Sequence, residues 1–524
     1  MQVTRVSESP VDRKPVGVSL GPIVVTHVEP HPDQYDTEML VAGLIKRVAF
    51  EHPKADHAVL KRFGLFVKRW IEDNFTPLDP DVDISVGTWL SETDYPLWRK
   101  EELLKKFAKV VDEFEDRYKV VKCFAKDESY KEFKYLRNIF ARTDEFKCFV
   151  GPYFKAIETV VYKHPSFVKH VPVKDRPKYI SEILMGGGSI NSTDYSAFES
   201  QFNRMLMEIC EIYMYKYMTQ NLPSREIFYK HLKTITGKQK LIFKYLDAIL
   251  GCCRMSGEMC TSLGNGFSNL MFALFTAEDK GCSNVRIVVE GDDGLMRYDG
   301  PKLLAEDFAR LGLTIKMEHH DRIETASFCG IIFDSEEQIN LTDPRHIIAT
   351  FGWGSSRYSL SKKSKLLQLL RCKSLSLAHQ YPGCPIISSI AKYGLRVTRS
   401  YRISQKVIDS FSLWERNKLI AAIRDESSIP DIEPGPRSRA LMEQLFDISV
   451  PIQLQIEDYF NNKNDVGPII NDYVRLILPD CWSEFASEYV RFVQPSEMGK
   501  QCFSIKDPDL GENLLKLLHE QAIK

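Results

Sequence analysis

Two clusters of carboxylates stand out in the sequence. The first is Asp194, in the run Ile190-Asn-Ser-Thr-Asp-Tyr-Ser-Ala-Phe-Glu199. The second is Glu290-Gly291-Asp292-Asp293-Gly294. Adjacent aspartates repel each other, and no matching cations lie beside them in sequence. Grouped oxygen donors of this kind suit a hard divalent cation, most often Mg²⁺. A pair of such ions clamping an attacking and a leaving oxygen is the standard arrangement for phosphoryl transfer. A paired-aspartate turn on its own is equally a solvated turn. The other segments must therefore decide.

A third segment is Arg254-Met-Ser256-Gly257-Glu-Met-Cys-Thr261-Ser-Leu-Gly-Asn265. It predicts a flexible Ser-Gly loop that opens a helix, with Thr261 and Asn265 one turn apart on one face. Two neutral hydrogen-bonding side chains on an otherwise apolar helix can read a hydroxyl or a base edge.

The surrounding pattern indicates what must position these groups. VRIVVE and GLMRY flank the paired aspartates over 285–298 and predict two strands around an acidic turn. A short strand should hand over near Asp194 to a long helix at about 197–220. The segment 302–318 reads as a helix leading into a strand. Three stretches between 36 and 120 carry the i, i+3, i+4 apolar spacing of helices. From about 336 onward the chain reads as mostly helical, with a break near 429–438.

The order of these segments resembles motifs A, B and C of viral RNA-dependent RNA polymerases, and more narrowly those of the positive-strand tombus-, noda- and flavivirus-like groups. Motif A is then Asp194 to Glu199, motif B runs from Ser256 to Asn265, and motif C is Gly291-Asp292-Asp293. The segment 123–143 is similar to motif F, a basic element over the incoming triphosphate. Lys126, Arg137 and Arg142 match its cationic positions, and Lys134 adds to them. The segment around Lys316 is similar to motif D, and 327–333 to motif E.

The resemblance implies an α+β right-hand polymerase. Residues 1–35 would be an N-terminal arm and 36–185 the fingers. The palm would be 186–335, with a fingers insertion near 220–250, and 336–524 the thumb and C-terminal region. It implies Mg²⁺, with Mn²⁺ as an alternative. The metal ligands would be Asp194, Asp292, Asp293 and the Tyr195 carbonyl. The candidate general acid is Lys316. Ser256 and Gly257 would adjust the template base, and Thr261 belongs to the same nucleotide site. Glu199 and Asn265 would sense the ribose 2′-OH. The family usually has aspartate where this chain has Glu199, so the reach of that carboxylate differs. A reverse transcriptase and a catalytically inactive RNA-binding scaffold are the competing readings. Against the first stands Gly291, where alanine or methionine is expected. Against the second stand the intact carboxylates.

Composition bears on the partner. There are 70 Lys+Arg against 71 Asp+Glu, a net charge of −1. This excludes a bulk polycation but conceals local bias. Residues 344–408 hold twelve cations and no acid; without them the chain would carry 58 bases, 71 acids and a net charge of −13. Arg345, Arg357, Lys362, Lys363, Lys365, Arg371, Lys373, Arg396 and Arg399 lie in this stretch, with aromatics interleaved. Cations neutralise phosphates and aromatics stack bases, so RNA contact is expected here. Twelve scattered cysteines without a C-x-x-C pair make neither a disulfide framework nor a structural zinc site. The first residues have no apolar core of a signal peptide, and no run reaches the length of a spanning helix. The expected partners are RNA template and product strand, NTPs and viral or host replication-complex proteins, with membranes engaged only indirectly. The expected location is the host cell cytoplasm, in membrane-associated replication complexes.

Overall fold

The computed structural model describes residues 2–7, 17–24, 37–48, 51–126, 128, 137–358, 360–478, 490–493 and 502–505. Helices and sheets are both present, and the sheets are mainly antiparallel, so the class is mixed α and β.

The central sheet has four antiparallel strands, in the order Ile315–His320, Ser189–Tyr195, Asp293–Asp299, Ser283–Glu290. The expected hairpin forms, and Glu290 pairs with Asp293 across a two-residue turn of Gly291 and Asp292. Gly291 has φ +64°, which the first central position of a tight hairpin turn demands. Behind the sheet runs the helix Thr261–Asp279, buried almost all round. Such a helix belongs to a core, not to a surface. The helices His57–Asn74 and Asp144–Val161 complete this core. Asp56 caps the first by accepting from the Ala58 and Val59 amides, at 2.8 and 3.3 Å.

A second sheet joins Gln2–Arg5, Leu246–Leu250, Gln239–Ile242, Val121–Ala125 and Asn138–Arg142 in that order. A third joins Trp353–Ser355, Gly17–Ser19, Cys502–Ile505 and Val490–Val493. The N-terminal segment thus contributes strands to two sheets far apart in sequence. The C-terminal helices, from Pro344–Phe351 to Asp472–Ile477, pack around a separate apolar cluster.

Two helical expectations change. The long helix over 197–220 is broken into a 3₁₀ turn, Phe198–Gln201, and two helices, Arg204–Ile209 and Glu211–Thr219. Three features interrupt its first part, and a non-helical Cys210, at φ −111° and ψ −93°, separates the two helices. Ala197 is left-handed at φ +49°, and the Gln201 amide donates to the Ser196 and Thr314 carbonyls at 2.8 and 2.9 Å. The Asn203 side chain caps the next helix by accepting from the Leu206 amide at 2.9 Å. Likewise, the last of the three stretches with helical spacing between 36 and 120 forms the helix Leu97–Phe107 and ends there, although its apolar spacing continues to about 120.

Candidate active site

Asp194 lies near the end of the strand Ser189–Tyr195, opposite Lys316 in register. On the other side, Thr193 faces Gly294, one residue past Asp293. The sheet therefore carries Asp194 and the Gly291-Asp292-Asp293 turn to neighbouring strand ends. The acids are reached by solvent yet crowded by protein. Burial and the charge of Glu199 raise the Asp292 carboxyl. Burial, then Asp292, Asp194 and Glu290, push Asp293 up to about 7. Glu290 is offset by Arg176, 2.5 Å away. Among the described residues no cation forms an ion pair with Asp194, Asp292 or Asp293. Nor do three His, Cys, Asp or Glu side chains converge there as they stand on one ion-sized point. The donor set is oxygen only, without an ion-paired cation among the described residues, and mutually repelling, which fits a hard divalent cation once the carboxylates rotate toward it.

The turn is held by a residue that sequence reasoning missed. Asn269, fully buried on the Thr261–Asp279 helix, points its amide nitrogen at three carbonyls. These are Gly291 at 3.2 Å, Asp292 at 3.0 Å and Asp293 at 3.0 Å. Two N–H groups are shared over three acceptors, so the whole turn is clamped from behind. The available signal was the continuation of the Thr261, Asn265 stripe by one further turn, i, i+4, i+8.

The Ser-Gly loop docks on the strand Asn138–Arg142. Ser256 donates to the Asn138 carbonyl at 3.2 Å. A Cβ on Gly257 would stand 2.6 Å from the Phe140 carbonyl oxygen, so only glycine permits this approach. Thr261 turns back to the Met255 carbonyl at 2.9 Å. Asn265 is buried, and its Oδ1 has no hydrogen-bond partner. An acceptor left so is costly unless a donor arrives.

The motif F cations separate into two groups. Lys126 and Arg137 both face Glu128, at 2.5 and 3.4 Å, and remain partly exposed. Lys134 lies outside the described residues. Arg142 goes inward: its guanidinium is 2.6 Å from both Glu258 and the Gln239 side chain, and it donates to the Lys119 carbonyl. With these partners it has no free face for a triphosphate. Its place in the motif pattern concealed that it braces the Ser-Gly loop. Lys316 is exposed and paired with Glu318 at 2.5 Å, which raises its pKa and holds its proton. The Tyr195 ring is buried against Phe198, with centroids 4.5 Å apart.

Arg47 was also missed. It lies at the end of the helix Thr37–Val48, 3.5 Å from Glu199. Nothing local marks it out.

The basic stretch is not one uninterrupted cationic surface. Arg345 pairs with Asp343 at 2.9 Å and Arg371 with Glu426 at 2.5 Å. Lys373 donates to the Thr350 carbonyl at 2.7 Å, and Arg396 to the Phe460 and Lys463 carbonyls at 2.7 and 2.9 Å. Arg357, Lys362, Lys363 and Arg399 stay exposed, as do Arg402 and Lys406. Arg357 and Lys365 flank the Tyr358 ring at 4.8 and 5.0 Å.

With this geometry in place, the comparison with known proteins points to a class: the chain is similar to viral proteins named RNA-directed RNA polymerase. One is from striped jack nervous necrosis virus, 26% identical over 216 residues, 38% of this chain and 21% of the relative. Another is from greasy grouper nervous necrosis virus, 25% identical over 238 residues, 43% of this chain and 24% of the relative. A third, from Atlantic halibut nervous necrosis virus, is 23% identical over 321 residues, 57% of this chain and 30% of the relative. The matches thus span between about a fifth and a third of these relatives. No protein-family model matches the chain.

Proposed function

We propose that this chain performs template-directed RNA synthesis as a viral RNA-dependent RNA polymerase, transferring nucleotides from NTPs to an RNA 3′-OH. The observation that carries the reading is the juxtaposition of Asp194 with the clamped Gly291-Asp292-Asp293 turn on an antiparallel sheet. The similarity to the three nervous necrosis virus proteins supports it. In this reading the central sheet is the palm of a right hand. The second sheet and its helices are the fingers, and the C-terminal helices the thumb. The grouping with noda-, tombus- and flavivirus-like enzymes belongs to the same proposal. So do replication-complex partners and a membrane-associated site in the host cytoplasm.

Asp194, Asp292 and Asp293 would hold Mg²⁺ or Mn²⁺. When bound, such ions lower the pKa of the attacking hydroxyl and neutralise the leaving pyrophosphate. The residues themselves do the positioning. Lys126 and Arg137 hold the triphosphate by charge-assisted hydrogen bonds once Glu128 releases them. Lys316 carries a proton on the strand beside Asp194. Glu199 and Asn265 read the 2′-hydroxyl.

The test is a gel assay of the purified chain with Mg²⁺ or Mn²⁺, NTPs and RNA templates, primed and unprimed. Template-dependent RNA product is expected. DNA product from dNTPs would favour a reverse transcriptase, and RNA binding without any incorporation would favour an inactive scaffold.

Two further outcomes follow from the geometry. Asn269→Ala frees the turn without touching substrate; kcat is expected to fall about 10- to 100-fold with KM for NTP little changed. Steady-state incorporation kinetics check this. For the exposed cations, a Lys362→Ala/Lys363→Ala chain should bind RNA with a shallower salt dependence. The slope of log K against log[salt] should drop by about 0.7 to 0.9 per lost phosphate contact. Fluorescence anisotropy across a salt series reads it, and an unchanged slope would place these lysines away from RNA.

A further inference from the structure

Arg47 enters the candidate active site from a segment that carries no motif. Its helix, Thr37–Val48, packs on the Phe198–Gln201 turn that bears Glu199. The same helix is tied to the Asn138–Arg142 strand by the Asn138 amide, which donates to the Leu40 carbonyl at 3.0 Å. Arg47 Nη1 lies 3.5 Å from Glu199 Oε2, and both side chains are largely buried, at 22% and 15% exposure. Its other charged neighbours are Asp292 and Glu128, which attract it, and Arg137, which repels it. Glu199 has a second tie through its backbone, whose carbonyl accepts from the Cys253 thiol at 3.3 Å.

The pairing matters because glutamate is longer and freer than aspartate. It has an additional rotatable bond to fix. Glu199 is also repelled by Asp292, on the neighbouring strand end. Unopposed, that repulsion would swing the carboxylate away from the cleft. Arg47 offsets it and holds one carboxylate oxygen. An aspartate at 199 would retreat by about one bond length, ~1.5 Å, and lose Arg47. The glutamate and the arginine therefore belong together.

We propose that Arg47 is a positioning residue for ribose selection. It holds the Glu199 carboxylate at the place from which the 2′-hydroxyl of the incoming nucleotide is read. This rests on the polymerase reading above.

The experiment measures kcat and KM of the full chain for an NTP and for its 2′-deoxy counterpart on one primed RNA template. Arg47→Gln should lower the NTP-over-dNTP ratio in kcat/KM about tenfold, since losing one oriented hydrogen bond is worth about that factor. The loss should sit mainly in the NTP arm. Arg47→Lys, which keeps the charge, should restore most of the ratio. Glu199→Asp should lower the ratio as well. Combining it with Arg47→Gln should add little, because the pair is already broken. An unchanged ratio in Arg47→Gln, or fully additive effects in the double variant, overturns the proposal. Should Arg47→Gln fail to fold, Arg47→Met, which keeps the length of the side chain without its charge, carries the same comparison: the same fall in the ratio is expected, and an unchanged ratio overturns the proposal. A wild-type chain that incorporates neither nucleotide overturns the polymerase reading itself, and this inference with it. The two failures are therefore distinguishable.

Discussion

Asp292→Asn is expected to reduce nucleotide incorporation by about 10³-fold or more while leaving the chain folded. Asp292 lies at the tip of the hairpin, where the Asn269 clamp fixes its backbone and leaves its carboxylate reachable by solvent. The substitution keeps the size and the backbone contact but removes the negative charge that would hold a divalent cation. It also relieves repulsion, since Glu199 and burial both disfavour the ionised Asp292. The variant should thus melt no lower than the wild type. Loss of activity with an undiminished melting temperature is the signature of a functional carboxylate, because such groups are kept at a cost to stability. A second readout sharpens it. Adding Mg²⁺ or Mn²⁺ without NTP should raise the wild-type melting temperature, as any ligand of the folded state does, and should do so less in the variant. Retained incorporation in Asp292→Asn would remove this residue from the metal site.

The largest effect on stability is expected at a different charge pair. Arg254 and Glu211 form an ion pair that is buried almost completely. The Tyr215 hydroxyl donates to Glu211 at 2.9 Å, and the Arg254 guanidinium lies 4.0 Å from the centre of the Phe202 ring. A Cβ on Gly264 would run into Arg254, Glu211 and Tyr215, so the Thr261–Asp279 helix packs directly on this cluster. Replacing one partner leaves an uncompensated charge in the interior. Glu211→Gln is expected to cost about 3–5 kcal/mol. The matched replacement Arg254→Met/Glu211→Leu should recover most of that loss, because a buried pair exchanged for apolar groups of similar volume is often near neutral. Denaturant midpoints of Glu211→Gln, of the single variants Arg254→Met and Glu211→Leu, and of the double variant measure this. If the double variant is as unstable as the singles, packing and not charge dominates the site. Arg254 precedes Ser256 by two residues, so this pair also fixes where the Ser-Gly loop starts.

Particular residues show how far the sequence alone could lead. The acidic hairpin was legible because strand, turn and strand are contiguous and the turn chemistry is local. The stripe of Thr261 and Asn265 was legible because helical period places them without knowledge of anything else. The helix over 197–220 was misread because its apolar spacing continues through breaks. The early breaks come from Ala197, Gln201 and Asn203, and the Gln201 partner Thr314 is remote in sequence; the later one lies at the non-helical Cys210. Arg142 looked like the neighbouring motif cations, yet Glu258 and Gln239 take it into the interior. The same holds for the basic stretch 344–408. Its lack of acids is a fact of local composition, but Glu426 and the Phe460 and Lys463 carbonyls, from beyond the stretch, occupy two of its cations, Arg371 and Arg396.

The sequence by itself therefore determined the chemical inventory: the oxygen donors on a tight turn, the polar stripe on a helix, the cations and their order along the chain. Residue type and short-range spacing are enough for that, since turn geometry and helical period act over a few residues. Only the tertiary structure decided which of those charges face solvent and which are spent inside. It alone placed Arg47 against Glu199, 152 residues away, and Asn269 behind the aspartate turn. The physical reason is that an ion's state depends on what lies within a few ångströms of it. Those neighbours come from segments that only folding brings together.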